Sequence, residues 1–254
     1  MQIKYSLNNR NDWFANKDHI AKLITPAILR KECMNHVESI QSISTSTNAV
    51  CCTTDRIVKI YAPEICGYNP MYDLEREVYA LRLMEFVEIR TPRLITYGLF
   101  EYNYHFYYSI IERIHIPPVS RFLRSCSQSD ILKLGDRLRS ILKIFRTLFI
   151  DKPSLAKNVE LHDDSVFVHS DLTGDNILYD GKTLAIIDFE DWHFAPHYVE
   201  FPAIIFEMIH NHMNLAPVFT GIPLAELKNS LYLGINAHNS SYRFIEKYNK
   251  SFSK

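Results

Sequence analysis

His169, Asp171, Asn176 and Asp188 are the residues of this chain whose types and spacing could do chemistry. The first three stand in Val166-Phe-Val-His169-Ser-Asp171-Leu-Thr-Gly-Asp-Asn176-Ile-Leu-Tyr179. Twelve residues beyond Asn176, the apolar run Leu184-Ala-Ile-Ile ends in Asp188-Phe-Glu190-Asp191. A carboxylate such as Asp171 can accept the proton of an attacking hydroxyl or orient it. An asparagine amide oxygen and a second carboxylate are hard oxygen donors of the kind Mg²⁺ takes. Val166-Phe-Val reads as a strand that delivers His169 and Asp171 to a loop. Ile177-Leu-Tyr reads as a second strand, Asp180-Gly181 as a hairpin turn and Leu184-Ala-Ile-Ile as the return strand. Such a hairpin folds Asn176 and Asp188 back toward each other, so that two oxygen ligands face one point. A base beside two ligands for a hard cation is what metal-assisted phosphoryl transfer requires. Each half alone would be an ordinary turn or strand end. The reading rests on four polar residues in this order on a strand, a loop and a hairpin.

These residues, His-x-Asp-Leu-x-x-x-Asn followed by Asp-Phe-Glu, resemble the aminoglycoside phosphotransferase and choline kinase group, the small-molecule branch of the protein-kinase-like fold. The resemblance runs from about Ser39 to about Ala203 and is specific at the loop and at Asp188. Protein kinases of the eukaryotic type carry Arg between the His and the Asp and Gly after Asp-Phe. This chain has Ser170 and Glu190 there and no Ala-Pro-Glu element, which favours the small-molecule branch. Where that branch has Gly-Asp-Pro and then Asp-Leu-Ala, this chain has Ala195-Pro-His-Tyr-Val-Glu200-Phe-Pro, with Glu200 placed to stand in for the structural Asp. The resemblance implies an α+β, two-lobe fold. An N-terminal nucleotide-binding lobe over 1–113 would be an antiparallel sheet with one helix, preceded by a helical extension over 1–36. A mainly helical lobe over 114–254 would carry the catalytic hairpin and the acceptor site.

The elements that must position these groups follow from periodicity. Asp18 to about Cys33 reads as one or two short helices broken at Thr25-Pro26. Val37-Glu-Ser-Ile-Gln-Ser-Ile alternates as a half-exposed strand does. Ala49-Val-Cys-Cys-Thr-Thr and Ile57-Val-Lys59-Ile-Tyr61 are two more strands about a turn at Asp55-Arg56. Tyr72 to about Phe86 is a helix, with Leu74, Val78, Leu81 and Met84 on one face. Thr91 to Tyr97 and Phe106 to Glu112 are strands, and Pro117-Pro118 marks a break. Ser129 to Phe149 is a long amphipathic helix capped by Ser127 or Ser129. Glu200 to about Asn211 and Pro223 to Tyr248 read as helices.

Lys59 sits on an otherwise apolar strand, where this fold places the lysine that touches nucleotide phosphates. Glu77 matches the glutamate of the family's Arg-Glu-x-x-x-Leu pattern, and an ion pair between the two would aim Lys59. Ser44-Thr45-Ser46-Thr-Asn48 occupies the place of a glycine-rich phosphate loop. It has no glycine, but its hydroxyls and amides can still meet phosphate. In Ile111-Glu112-Arg113-Ile114, backbone groups of Glu112 and Ile114 would read the adenine edge. His169 is read as bracing its loop. His193 and His197 are i, i+4 with Pro196 between them, which argues against a shared helix face and for packing roles. Asp175, Glu190 and Asp191 are extra acids near the metal ligands. Trp192 and Phe194 read as aromatic core.

Composition narrows the field further. The chain has 254 residues, is 47% hydrophobic and 22% charged, and has a formal net charge of -1, the profile of a globular protein with no basic surplus for nucleic acid or anionic membrane. No apolar run approaches a membrane span, the N-terminus lacks the apolar stretch of a secretory signal, and five cysteines show no metal spacing. A cytoplasmic location with reduced thiols is expected.

The expected activity is therefore a kinase that moves the γ-phosphoryl group of ATP to a hydroxyl of a small molecule. Asp171 would be the base, Asn176 and Asp188 would hold Mg²⁺, and Lys59, Glu77 and the loop of Ser44, Thr45 and Ser46 would position the nucleotide. Aminoglycoside resistance, an atypical protein kinase and a nucleotide-binding pseudokinase scaffold are the alternatives. Past Phe201 the acids are Glu207, Glu226 and Glu246, set against several lysines, Arg243 and histidines. This favours a neutral or weakly charged acceptor over a polycationic one.

Overall fold

The computed structural model describes residues 6–34, 39–43, 47–148, 153–155, 164–238 and 241–252. The chain forms two compact units, Met1–Glu85 with Pro92–His115, and Phe86–Thr91 with Ile116–Lys254. The mixed α+β architecture expected from the sequence is present, with the large antiparallel sheet in the first unit and most of the shorter helices in the second.

The first unit opens with α1, Arg10–Lys31, a single helix through Pro26 rather than two short ones. Asn9 caps it by accepting from the Asp12 amide, and Asp12 complements the positive end of the helix. A proline inside a helix costs about 3 kcal/mol. Here the helix buries Trp13, Ile20, Ala21, Ile24, Ile28 and Leu29 in one cluster with strand residues, and that packing outweighs the local penalty. Strands β1 (Gln41–Ile43), β2 (Ala49–Cys52), β3 (Arg56–Ile60), β4 (Leu94–Glu101) and β5 (His105–Glu112) form an antiparallel sheet in the order β1-β2-β3-β5-β4. The strand expected from Val37 is described only over Gln41–Ile43, and Val37 and Glu38 lie outside the described residues. Helix α2, Pro70–Phe86, follows β3.

The period of two along β3 sorts its side chains between the two sheet faces. Val58 and Ile60 join the α1 cluster, as do Ala49 and Cys51 of β2. Tyr61, just past β3, packs instead with Leu74 and Val78 of α2. Lys59 alternates with Val58 and Ile60 and so shares the α2 side, opposite Val50 and Ser109 in the flanking strands.

The second unit begins with α3, Val119–Phe122, and α4, Gln128–Phe145. Ser127, one of the two expected caps, closes a reciprocal capping box with Asp130. Strand β6 (Ser165–Val168) leads into the His169–Asp171 loop, and β7 (Ile177–Tyr179) and β8 (Leu184–Ile186) form the expected hairpin. A fourth short strand, β9 (His193–Pro196), pairs antiparallel with β6, Val168 opposite His193 and Ser165 opposite Pro196. The sequence shows no strand there, because Trp192 and Phe194 look like plain core. Trp192 is indeed fully buried and stacks on Phe167 at 5.4 Å between ring centres.

Two expected helices are corrected. Glu200 to Asn211 is not one α-helix but a 3-10 turn His197–Glu200, a short α5 (Phe201–Ala203) and a π turn Ile204–Met208. Pro202 withholds an amide from the ladder, and the Ile209 amide reaches back five residues to the Ile204 carbonyl at 3.0 Å. After α6, Ala216–Thr220, the span from Pro223 to Tyr248 divides into α7 (Leu224–Ala237) and α8 (Tyr242–Phe252). His238 leaves the helix with extended backbone, followed by an Asn-Ser-Ser run of residue types that favour caps over helix interiors.

Gly234 in α7 lies directly against Tyr198 and Pro202, the residues on either side of Glu200. A Cβ there would fall within contact of the Tyr198 carbonyl oxygen and 3.1 Å from its carbon. Backbone cannot yield as a side chain can, so Gly234→Ala is expected to destabilise the protein by about 1–3 kcal/mol. Chemical denaturation checks this, and a gain in stability from the better helix former would refute it.

Candidate active site

The loop after β6 is held by its main chain. The Glu200 carboxylate is 2% exposed and accepts from two successive amides, those of His169 and of Ser170, the latter at 3.1 Å. Burial raises its pKa to about 8, against the opposing pull of those two amides. The Ser170 carbonyl accepts from Nε2 of buried His238 at 2.8 Å. Ser170 itself sits at φ 72, a left-handed conformation that a non-glycine residue holds only when its surroundings impose it.

His169 is fully buried and acts as a spacer between loop and hairpin. Its Nδ1 accepts from the Asp171 amide at 3.2 Å, so the proton belongs on Nε2, which lies 3.0 Å from the Ile187 carbonyl. Burial lowers its basicity, which suits a neutral ring with one donor and one acceptor. The reading of His169 as a brace matches these contacts.

Asp171 and Asn176 meet directly. The Asn176 Nδ2 donates to the Asp171 carbonyl at 2.9 Å and to its Oδ2 at 2.8 Å. Both amide protons are thereby used, and the amide oxygen is the group left to face a further ligand. The Ile187 amide donates to the Asn176 carbonyl at 3.0 Å, extending the β7–β8 register by one pair and placing Asp188 next to that pair. Asp188 also adopts a left-handed conformation, φ 66. Burial is the largest influence on Asp171 and raises its pKa, while His169 and Arg243 pull the other way. A carboxylate so shifted is a better proton acceptor.

In the first unit, Lys59 Nζ lies 3.1 Å from Glu77 Oε1, with both side chains almost fully buried. The other Glu77 oxygen accepts from the Tyr61 hydroxyl, a partner the sequence does not reveal. Burial, with Glu77 beside it, holds the Tyr61 phenol well above its ordinary value, so it stays a donor.

A family model described as the phosphotransferase enzyme family matches residues 121–211, from α3 to just past the π turn. Among solved structures, the chain is similar to a GDP complex of a point mutant of aminoglycoside 2'-phosphotransferase-IIIa, with 12% identity, 94% of this chain and 93% of that one covered, and a TM-score of 0.70. The GDP and kanamycin complex of APH(2")-IIIa gives 12% identity, 92% and 98% coverage and a TM-score of 0.65. Choline kinase LicA from Streptococcus pneumoniae gives 14% identity, 93% and 92% coverage and a TM-score of 0.53. The fold is that of the kinase-like phosphotransferases. No curated protein matches the sequence. The family model and the fold bear out the resemblance to small-molecule phosphotransferases read from the catalytic loop.

Other expected site residues are placed as follows in this kinase-like frame. Glu112 ends β5, and its amide donates to the Arg93 carbonyl at 2.9 Å while its carboxylate accepts from the Arg93 amide at 3.2 Å. Ile114 lies in the irregular connector after β5, half-buried. Ser44, Thr45 and Ser46 lie outside the described residues. Asp175 is exposed and accepts from Ser120 Oγ at 2.6 Å. His193 is buried with Nδ1 3.1 Å from the Asp191 carbonyl, and His197 packs edge-on to Phe201. Among the described residues no three His, Cys, Asp or Glu side chains gather as a metal site. One amide oxygen and one carboxylate nevertheless suit Mg²⁺, which keeps waters and phosphate oxygens as its remaining ligands.

The structure adds residues that sequence reasoning passed over. Arg243 of α8 donates through Nη1 to Asp171 Oδ1 at 3.1 Å and through Nη2 to Glu207 Oε2. Lys247, one turn on, lies 3.1 Å from Glu207 Oε1. In sequence Arg243, Lys247 and Glu207 are only charges of the C-terminal tail, and nothing local ties them to Asp171.

Two outcomes follow for stability. Glu200→Gln keeps one acceptor and turns an NH₂ toward the second amide, so it should cost about 1–3 kcal/mol. A group raised from 4.5 to about 8 stabilises the fold fully below its unfolded value, and that contribution is lost as pH rises to 8. The wild type should therefore lose more stability than the variant between those limits, and denaturation curves across this range check it. Glu77→Ala removes the carboxylate paired with the buried Lys59 ammonium and should cost about 3–5 kcal/mol, whereas Lys59→Met with Glu77→Leu should cost much less than the sum of the single changes. Strict additivity would show that the pair does not act as a unit.

Proposed function

We propose that this protein transfers the γ-phosphoryl group of ATP to a hydroxyl of a small molecule. The observation that carries the reading is the joint hold on Asp171 and Asn176, bonded to each other at the foot of the hairpin whose far strand leads to Asp188. In the reaction, the acceptor oxygen bonds to the γ-phosphorus, the bond to the β–γ bridging oxygen breaks, the hydroxyl proton goes to Asp171, and ADP leaves.

Each residue then has a definite task. Asp171 takes the proton, and His169 and Glu200 keep the loop from drifting away from the attack geometry, where misplacement is costly. The Asn176 amide oxygen and the Asp188 carboxylate would hold Mg²⁺, which when bound neutralises phosphate charge. Lys59, kept in place by Glu77, is the phosphate-binding cation. The Glu112 amide is already used on Arg93, so this connector would meet the base through the Glu112 carbonyl and the Ile114 amide. Ser44, Thr45 and Ser46 are proposed to donate to the phosphates. ATP is taken as the donor, with GTP as its competitor in the same assay.

Asp171→Asn tests the assignment. It should lower transfer by about 10²-fold or more, while nucleotide still binds. Turnover equal to wild type in a folded variant would remove Asp171 from the role of base.

A further inference from the structure

We infer that Arg243 and Lys247 set the charge of the acceptor, and that the site takes an uncharged hydroxyl compound of the sugar or polyol class rather than a polyamine. This rests on the reading of Asp171 as the base. The acceptor hydroxyl must come up to Asp171, so the groups around that carboxylate are what the acceptor meets.

The two carboxylates that Arg243 bridges are Asp171 itself and Glu207, and every one of their four oxygens has a donor from the protein. Asp171 Oδ1 takes Arg243 Nη1 at 3.1 Å, and Oδ2 takes Asn176 Nδ2 at 2.8 Å. Glu207 Oε1 takes Lys247 Nζ at 3.1 Å, and Oε2 takes Arg243 Nη2. An amine-rich acceptor binds by trading its hydration for such carboxylates. Here it would first have to displace a guanidinium that bridges both of them. Exposure points the same way. The Arg243 and Lys247 side chains are 34% and 44% exposed, against 24% and 20% for Asp171 and Glu207. Within this four-residue cluster the two cations are the more exposed half. Sequence position gives α8 no obvious part in the chemistry. Its placement of Arg243 on Asp171 makes that helix the specificity element.

The pairing is also well braced. The Arg243 guanidinium lies 5.3 Å from the ring centre of fully buried Phe244, and Lys247 lies 5.9 Å from the same ring. The two cations are thus held from the ring side as well as by the carboxylates.

Kanamycin is the polycationic probe, and glucose and myo-inositol are the neutral ones. Calorimetric titration of the full chain with kanamycin, wild type against the Arg243→Gln, Lys247→Gln double variant, reads the effect without any turnover. The double variant frees two carboxylates and should bind kanamycin about tenfold more tightly or better. With ATP, the wild type should phosphorylate a neutral probe in preference to kanamycin. Unchanged kanamycin affinity in the double variant overturns the inference, as does faster transfer to kanamycin than to the neutral probes by the wild type. If the double variant fails to fold, Lys247→Gln alone, at an exposed side chain, gives the same comparison with a smaller gain. Asp171→Asn separates the two levels. If it leaves transfer intact, the role of the base is wrong, whereas the binding comparison judges the α8 cations by themselves.

Discussion

The buried carboxylate of Glu200 is the interaction on which the rest of the second unit depends. A loop that carries a reacting group must leave regular pairing at the end of a strand, and its amides then need partners. Glu200 supplies both of them, for His169 and Ser170, from a side chain removed from water. The arrangement forces Ser170 into a left-handed conformation and turns its carbonyl to His238. It also fixes His169 between the Asp171 amide and the Ile187 carbonyl. Without an acceptor at Glu200 the loop would have two orphan donors in the interior. The close seating of Gly234 against Tyr198 and Pro202 belongs to the same constraint, since α7 must come near enough to fix the segment that carries Glu200.

What was legible in the sequence follows from how local each signal is. The β7–β8 hairpin was readable as two strands about a turn, because Asp180-Gly181 between two short apolar runs is a local signal, but its register, Tyr179 opposite Leu184 across four residues, was not. Lys59 with Glu77 was readable because a lysine on an apolar strand demands a partner, and the Arg-Glu-x-x-x-Leu pattern of the family that the chain resembles singled out Glu77 among the acids of α2. The sequence could not show that Tyr61 shares that glutamate, since only the alternation of β3 against α2 puts it there. Pro26 misled because a propensity of a few kcal/mol is a local quantity, while α1 is held by a face of tertiary contacts. The division of α7 from α8 and the π turn at Ile204–Met208 were missed for the opposite reason. Their signals, a polar His-Asn-Ser-Ser run and Pro202, are short, and each stands between apolar stretches that read as helix.

Arg243 shows the limit of reading charge by counting. The acids and bases after Phe201 can be tallied from the sequence, and the tally says only that the tail is not acidic. The physical question is which charges are already spent. A carboxylate whose two oxygens both accept from protein cations attracts a further cation weakly, however near it lies, because the existing pair must be broken first. Glu207 is in that condition, and Asp171 is shared between Arg243 and Asn176. The same pairing explains how a base can sit beside an arginine and still work. Burial raises the proton affinity of Asp171, the guanidinium and His169 lower it, and burial is the larger influence. One guanidinium thus both occupies these carboxylates and moderates a base whose strength burial sets, and it does so because the π turn and α8 supply Glu207 and Arg243 to the same cluster.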